Sequence, residues 1–171
     1  MDSRRRANIR AVPKQPAYPP SKDVYLGLRN QILEGSRVKF GLPQTSAPTQ
    51  PWGVVMDWGV TKAVATAVAL SDGTASIYLS NGGGYIGGQA HDSIRRAAQT
   101  AVEIAAEFQP QMQPTSAYPL PQQGEVIFYV LTDAGAFTAT VPEQELGTHR
   151  HPLWKLGDAV QNIITQYRQL K

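Results

Sequence analysis

A tight-turn signal between two segments with strand periodicity constrains the fold of this chain more than any other feature. Lys62 to Leu70 alternates larger residues on one face with alanines on the other, and Ala75 to Ser80 alternates again. Ser71-Asp72-Gly73-Thr74 lies between them, and Asp-Gly favours the positive φ values that tight hairpins require. The segment therefore predicts two antiparallel strands. The all-alanine face would let a helix or a second sheet approach closely.

The same reasoning extends over the chain and predicts five strands and three main helices. Glu125 to Thr132 and Ala136 to Val141 form a second hairpin about Asp133-Ala134-Gly135, and Pro142 to Leu146 is expected to be a short helical turn. Apolar residues at helical spacing predict the helices. The elements expected are a helix from Ser21 that ends before Gly35, strands at 52–58, 62–70 and 75–80, a helix at 91–108, strands at 125–132 and 136–141, and a C-terminal helix from Leu153.

This order, α-βββ-α-ββ-α, indicates an α+β fold with a largely antiparallel five-stranded sheet flanked by helices. The element order over residues 21–171 resembles the profilin/roadblock type of α/β sandwich. The segments Trp52–Gly59, Gly73–Gly88 and Leu131–Leu146 are also similar to bacterial proteins of uncharacterised function, a resemblance that implies no chemistry.

Positive charge is concentrated at the N-terminus. The chain has a net charge of +3, but residues 1–22 hold six basic residues and one acid, whereas residues 23–171 hold ten basic residues and twelve acids. Residues 1–20 also contain four prolines and little apolar periodicity, so we expect a disordered basic arm followed by one domain at 21–171. Because the body is slightly acidic, nucleic-acid binding ranks below a solvated tail and a docking arm.

Several classes of site are excluded or disfavoured. The chain has no cysteine, which excludes disulfides, thiolate nucleophiles and cysteine metal sites. His149 and His151 lack a third ligand nearby, so no metal site is expected. The N-terminus lacks the apolar core of a secretory signal, and no apolar stretch reaches membrane-spanning length, so a cytoplasmic location is the default.

A glycine-rich segment before the second helix is the most unusual local feature. Free backbone N–H groups there and the start of the helix would suit an anion, with Asp57 and His91 as acid/base candidates. The segment matches neither phosphate-binding glycine fingerprint, and the favoured alternative is a tight strand-to-helix corner that glycine permits. The candidate ligand residues are Asp57, Gly82, Gly83, Gly84, Tyr85, Gly87, Gly88 and His91.

Asp57 allows a second interpretation. Asp57-Trp58-Gly59 resembles the Asp-x-Gly of the actin and ribonuclease H superfamily, in which a carboxylate at a strand end would hold Mg²⁺ or contact phosphate. No partner acid is evident apart from Asp133 in a turn, so a turn or edge aspartate is the preferred interpretation. Trp52 and Trp58 alternate in phase and are expected on the same side of one strand.

Aromatic residues in loops and the lack of a catalytic constellation favour binding over catalysis. Tyr85 and Ile86 among glycines, and Trp154 at a helix start, are placed to project towards a partner. The sequence therefore predicts a non-catalytic interaction or dimerisation module without a cofactor, with a homodimer or a protein partner. A small-ligand or phosphate-binding protein that uses residues 82–88, with or without hydrolytic activity, is the alternative.

Overall fold

A seven-stranded antiparallel sheet with helices on both faces makes up the fold, in a computed structural model that describes residues 22–170. The sheet order is β4-β3-β2-β1-β6-β7-β5, and every neighbouring pair is antiparallel. The arm expected at residues 1–20 lies outside the described residues. The elements are α1 (Lys22–Leu33), β1 (Pro51–Val60), β2 (Ala63–Leu70), β3 (Ala75–Leu79), β4 (Gly84–Ile86), α2 (Asp92–Phe108), β5 (Gln113–Thr115), β6 (Glu125–Thr132), β7 (Gly135–Pro142), α3 (Glu143–Gly147) and α4 (Trp154–Gln169).

The prediction of an antiparallel α+β fold is confirmed, but the expected number of five strands is wrong. The two additional strands, β4 and β5, have three residues each and form opposite edges of the sheet. A strand of three residues is too short to show a period of two. Glycines also surround β4, and β5 contains Pro114, so composition concealed both strands.

Both predicted hairpins are present. The turn between β2 and β3 contains Gly73 with φ of 91°, and the turn between β6 and β7 leads into Gly135, the first residue of β7, with φ of 115°. In the first turn the Asp72 carboxylate also accepts a hydrogen bond of 2.9 Å from the backbone N–H of Thr74. These turns fix the register of the sheet on both sides of β1.

Each face of the sheet carries its own buried apolar cluster. Val64, Val68 and Leu70 of β2 lie on the face covered by α1, whereas Ala67 and Ala69 lie on the face covered by α2 and α4. The alternation read from the sequence therefore sets which side of β2 faces which helix. The small alanine side chains allow α2 to pack directly on β2.

Trp52 and Trp58 lie on opposite faces of the sheet, so the prediction that they share a face is wrong. The register between β1 and β6 shifts between Pro51 and Gly53, which is a β-bulge at Trp52. An extra residue in a strand reverses the alternation on one side of it. As a result Trp52 joins the cluster under α1, near Phe40, while Trp58 packs against the cluster under α2 and α4.

Candidate functional site

The sheet ends at an edge strand with two exposed apolar side chains. Within residues 22–170 no strand lies beyond β4. Tyr85 is 53% exposed and Ile86 is 68% exposed. Tyr85 is opposite Ile77, on the face that carries α2 and α4, and Ile86 is opposite Ser76, on the other face. We call Gly84–Ile86 with these side chains the β4 edge.

The opposite edge of the sheet differs in composition. There β5 consists of Gln113, Pro114 and Thr115, and proline lacks the backbone N–H that a further strand would use. Natural sheets protect their edges with proline, charged residues or short strands. Both edges are short, but the β4 edge has neither proline nor charge. It is therefore the less protected of the two.

The glycine-rich segment forms the tight turn between β3 and β4 and then a strand-to-helix corner. The backbone N–H of Leu79 donates to the carbonyl of Gly83 at 3.1 Å, and Gly82 and Gly83 have φ values of 112° and 85°. Gly87, with φ of 83°, leads into a short 3-10 turn at Gly88–Ala90 and then into α2. This geometry agrees with the interpretation favoured from the sequence, in which the glycines permit a tight corner between a strand and a helix.

A buried tyrosine of α4 holds this corner in place. The Tyr167 hydroxyl accepts a hydrogen bond of 2.9 Å from the backbone N–H of Gly88 and donates one of 2.8 Å to the carbonyl of Ala75. A Cβ at residue 88 would collide with that hydroxyl, so only glycine fits there. The Tyr85 ring also stacks on Tyr167, with 5.2 Å between ring centroids. The β4 edge is thus anchored to the core through Tyr167. Burial also raises the pKa of the Tyr167 hydroxyl.

The start of α2 is occupied by its own acidic residue. His91 precedes the helix, is exposed and makes no side-chain capping bond. Asp92 lies in the first turn and forms an exposed ion pair with Arg95. The carboxylate of Asp92 therefore supplies the negative charge that a helix start favours.

Asp57 is a buried residue of the central strand, so the preferred interpretation of a turn or edge aspartate is wrong. It is fully buried on the face under α1, where both Nε and Nη2 of Arg29 donate to its Oδ2 at 2.9 and 2.7 Å. The Thr66 hydroxyl donates to Oδ1 at 2.6 Å. Because Thr66 gives its hydrogen to Asp57, the Tyr25 hydroxyl must donate to Thr66, at 2.6 Å.

The arginine of this pair is itself enclosed. Nη2 of Arg29 also donates to the carbonyls of Tyr118 and Pro119 at 3.1 and 3.3 Å, and its guanidinium lies 5.7 Å from the ring centroid of Tyr129. The Tyr129 hydroxyl donates to the same Pro119 carbonyl at 2.7 Å. The network joins α1, β1, β2, β6 and the loop before β6. We refer to Tyr25, Arg29, Asp57, Thr66 and Tyr129 as the buried polar network.

Burial sets the direction of the pKa shift of each acidic group in the buried polar network. It raises the pKa of Tyr25 and of Tyr129 to about 12 in each case. Burial also raises the pKa of the Asp57 carboxyl, and the Arg29 guanidinium and the Thr66 hydroxyl oppose that rise. Arg29 and Thr66 bind both oxygens of Asp57, so this carboxylate links α1 and β2 to β1.

A cleft of about 540 Å³ opens beside the buried polar network, at the end of the sheet where β1 turns into β2. Its walls combine apolar side chains with a few polar groups and one cation. The lining residues are Tyr25, Val60, Lys62, Ala63, Val64, Ser80, Leu120 and Gln123.

The structure brings some of the candidate ligand residues together and separates others. The six from Gly82 to Gly88 lie in one hairpin and corner, with His91 just beyond them. Asp57 does not join them, because its side chain points to the α1 face whereas His91 leads into α2 on the other face. An anion site within Gly82–His91 stays a prediction, without Asp57 as its acid/base group.

The sequence analysis missed the partners of Asp57 and the anchor at Tyr167. One signal was available, since an acidic residue inside a buried strand requires a cation or several donors. Tyr25 and Arg29 are four residues apart on α1 and so share a helix face. Nothing in the local sequence, however, connects residue 167 with residue 88.

The described part of the chain contains neither a cluster of metal-binding side chains nor a helix able to cross a membrane. Residues 22–170 contain no group of three or more histidine, aspartate or glutamate side chains placed to hold a metal ion. No helix in that range is long and apolar enough to cross a membrane. Comparisons of the chain with protein-family models, with curated proteins and with solved structures found no match.

Proposed function

We propose that this chain is a non-catalytic interaction module that forms a homodimer through the β4 edge. The observation that carries the proposal is the pair of exposed apolar side chains, Tyr85 and Ile86, on an edge strand without proline or charge. An edge strand offers a row of backbone N–H and C=O groups that a second chain can pair with. Its apolar side chains then become buried on both faces of the extended sheet.

The symmetry of an antiparallel sheet favours a second copy as the partner. Two β4 strands that run antiparallel are related by a two-fold axis, so each copy contributes the same surface. The sheet would then continue from seven strands to fourteen across the dimer. Because β4 has only three residues, few backbone bonds form, and the apolar contacts of Tyr85 and Ile86 supply most of the free energy.

The proposal retains a profilin/roadblock-like sandwich and a cytoplasmic location. Helices on both faces of an antiparallel sheet support the first, although two edge strands more than expected are present. No helix in residues 22–170 is long and apolar enough to span a membrane, and the proposed cytoplasmic location is compatible with this.

Sedimentation equilibrium on the full chain and two variants tests the proposal. Ile86→Lys places a charge on the β4 edge, where it would be buried in the dimer. Val38→Lys makes the same change at a side chain that is 72% exposed and lies in the loop after α1. It is therefore a matched control for charge and for loss of surface apolarity.

We expect the wild-type chain and Val38→Lys to sediment as dimers at high micromolar concentration and Ile86→Lys as a monomer. A wild-type chain that stays monomeric over the whole range contradicts the homodimer. Dimers of equal strength in all three proteins would show that two copies associate through another surface.

A further inference from the structure

We propose that the cleft between the β1–β2 turn and Leu120 binds a small organic carboxylate with an apolar body. Its volume of about 540 Å³ lies within the range of roughly 300–1,000 Å³ that is typical of small-molecule sites. This site is separate from the β4 edge and does not depend on the dimer.

The lining of the cleft favours an anion over a cation. Among residues 22–170, Lys62 is the only charged residue that lines the cleft, and no carboxylate side chain of that range lines it. The nearby acid Asp57 is already paired with Arg29 beneath Tyr25. A negative group in the cleft would therefore meet one lysine and no carboxylate from the described part of the chain.

Polar groups at one end of the cleft and apolar groups elsewhere indicate an amphipathic ligand. The Ser80 hydroxyl oxygen accepts a hydrogen bond of 2.7 Å from the backbone N–H of Val64, which leaves the hydroxyl hydrogen for an acceptor on a ligand. Val60, Val64 and Leu120 supply apolar wall. A carboxylate at Lys62 and Ser80, with a hydrocarbon body along this wall, satisfies both parts.

The backbone at Lys62 gives an independent reason to assign a role to its side chain. Lys62 has φ of 60°, in the left-handed region that favours glycine. At the turns β2–β3, β3–β4 and β6–β7, the positive-φ residues are glycines, namely Gly73, Gly82, Gly83 and Gly135. Among these hairpin turns only the β1–β2 turn uses a non-glycine residue there; the other such residue in residues 22–170 is His149, with φ of 56°, in the turn after α3. Strained residues of this kind concentrate at functional sites.

Decanoate is a suitable probe, because decanol and decyltrimethylammonium carry the same hydrocarbon chain with a neutral or a positive head. Binding to the full chain is measured by calorimetry and by amide chemical shifts. We expect decanoate to bind more tightly than either comparison molecule and to shift the amides of Val60–Val64 and Ser80. Equal binding of all three molecules, or no shift at these amides, would overturn the proposal. The second outcome is also the one expected if another part of the chain or a second copy fills the cleft.

Substitution at Lys62 tests the residue itself. Asparagine tolerates the left-handed region, so Lys62→Asn should unfold at a temperature no lower than wild type but bind decanoate about tenfold more weakly. Lys62→Arg keeps the charge and should retain binding, and Lys155→Met removes a lysine from α4 on the opposite face and should change nothing. Unaltered decanoate binding in Lys62→Asn contradicts the assignment.

Discussion

At the scale of single residues, the position of Asp57 shows how a buried charge can be accommodated in a central strand. Removing a carboxylate and a guanidinium from water costs several kcal/mol for each, and the ion pair offsets this only when the other donors are also satisfied. Here Thr66 takes the second carboxylate oxygen, and the carbonyls of Tyr118 and Pro119 both accept from Nη2 of Arg29. The network therefore links α1 to the sheet in one specific arrangement.

Substitution of one member of the Arg29–Asp57 pair should lower the free energy of unfolding far more than substitution of both members. Asp57→Asn leaves the Arg29 charge buried without a counter-charge, and we expect the free energy of unfolding to fall by about 3–5 kcal/mol. In the background of Arg29→Met the same substitution leaves an amide oxygen that still accepts from Thr66, so its cost should be much smaller. Urea unfolding of the four proteins measures the coupling between the two residues.

The exposed pair Asp92–Arg95 is the matched control. Its coupling, measured by the same cycle, should stay below about 1 kcal/mol because both groups keep their hydration. Additive costs at Arg29 and Asp57 would contradict the structural role given to the buried polar network.

Tyr25 and Tyr129 give the network a signature at high pH. Their pKa values are about 12 in the folded chain against an ordinary value of 10.0. The unfolded chain thus loses these protons first, so their contribution to stability is complete below about pH 10 and is lost as the pH rises towards 12. Each tyrosine contributes at most about 3 kcal/mol.

Absorbance at 295 nm follows the ionisation. Of the seven tyrosines, we expect at least two to ionise only near pH 12 or on unfolding, and Tyr25→Phe to remove one of this late group. If all tyrosines ionise together near pH 10 while the chain stays folded, the burial of these hydroxyls is contradicted.

At the scale of elements, the glycine-rich segment owes its shape to a contact remote in sequence. Tyr167 binds Gly88 and Ala75 at once and supports the ring of Tyr85. Seven residues rich in glycine lose much conformational entropy when they become ordered, and the contacts with Tyr167 offset this cost.

Tyr167→Phe removes both hydrogen bonds while it keeps the ring. We expect a loss of about 1–3 kcal/mol and faster hydrogen exchange of the Gly88 amide, because its N–H loses its acceptor. Tyr85→Phe, which keeps the stacked ring, is the control and should leave exchange at Gly88 unchanged. Exchange at Gly88 that is equally slow in Tyr167→Phe would show that another contact holds the corner.

The sequence predicted those elements whose periodicity extends over at least five residues. The hairpins β2–β3 and β6–β7, the helices α2 and α4 and the two faces of β2 are all confirmed. The strands β4 and β5 and the bulge at Trp52 were missed, because each depends on pairing with a distant strand and not on local pattern. The same reason applies to Arg29 and Tyr167.

The candidate site was predictable only in part. Tyr85 and Ile86 among glycines were recognised as exposed, and the structure confirms their exposure. Their place on a sheet edge was not evident, since it follows from the strand order. The cleft at Lys62 was not found, because its walls come from four separate parts of the chain.

At the scale of the whole molecule, the two edges of the sheet differ in composition, and the proposed dimer uses the less protected edge. Pro114 lies in the β5 edge, whereas the β4 edge has two exposed apolar residues and no charge. Association at β4 buries these side chains and pairs the outer backbone groups of the strand. Association at β5 would bury less apolar surface and would form fewer backbone hydrogen bonds.

Hydrogen exchange of backbone amides as a function of protein concentration tests the interaction at the β4 edge most directly. We expect exchange at Gly84–Ile86 to slow as the concentration rises through the dimer range, while exchange at Gln113–Thr115 stays constant. Exchange at Gly84–Ile86 that is independent of concentration while the chain forms dimers, or slowing that occurs at Gln113–Thr115 instead, would contradict the account.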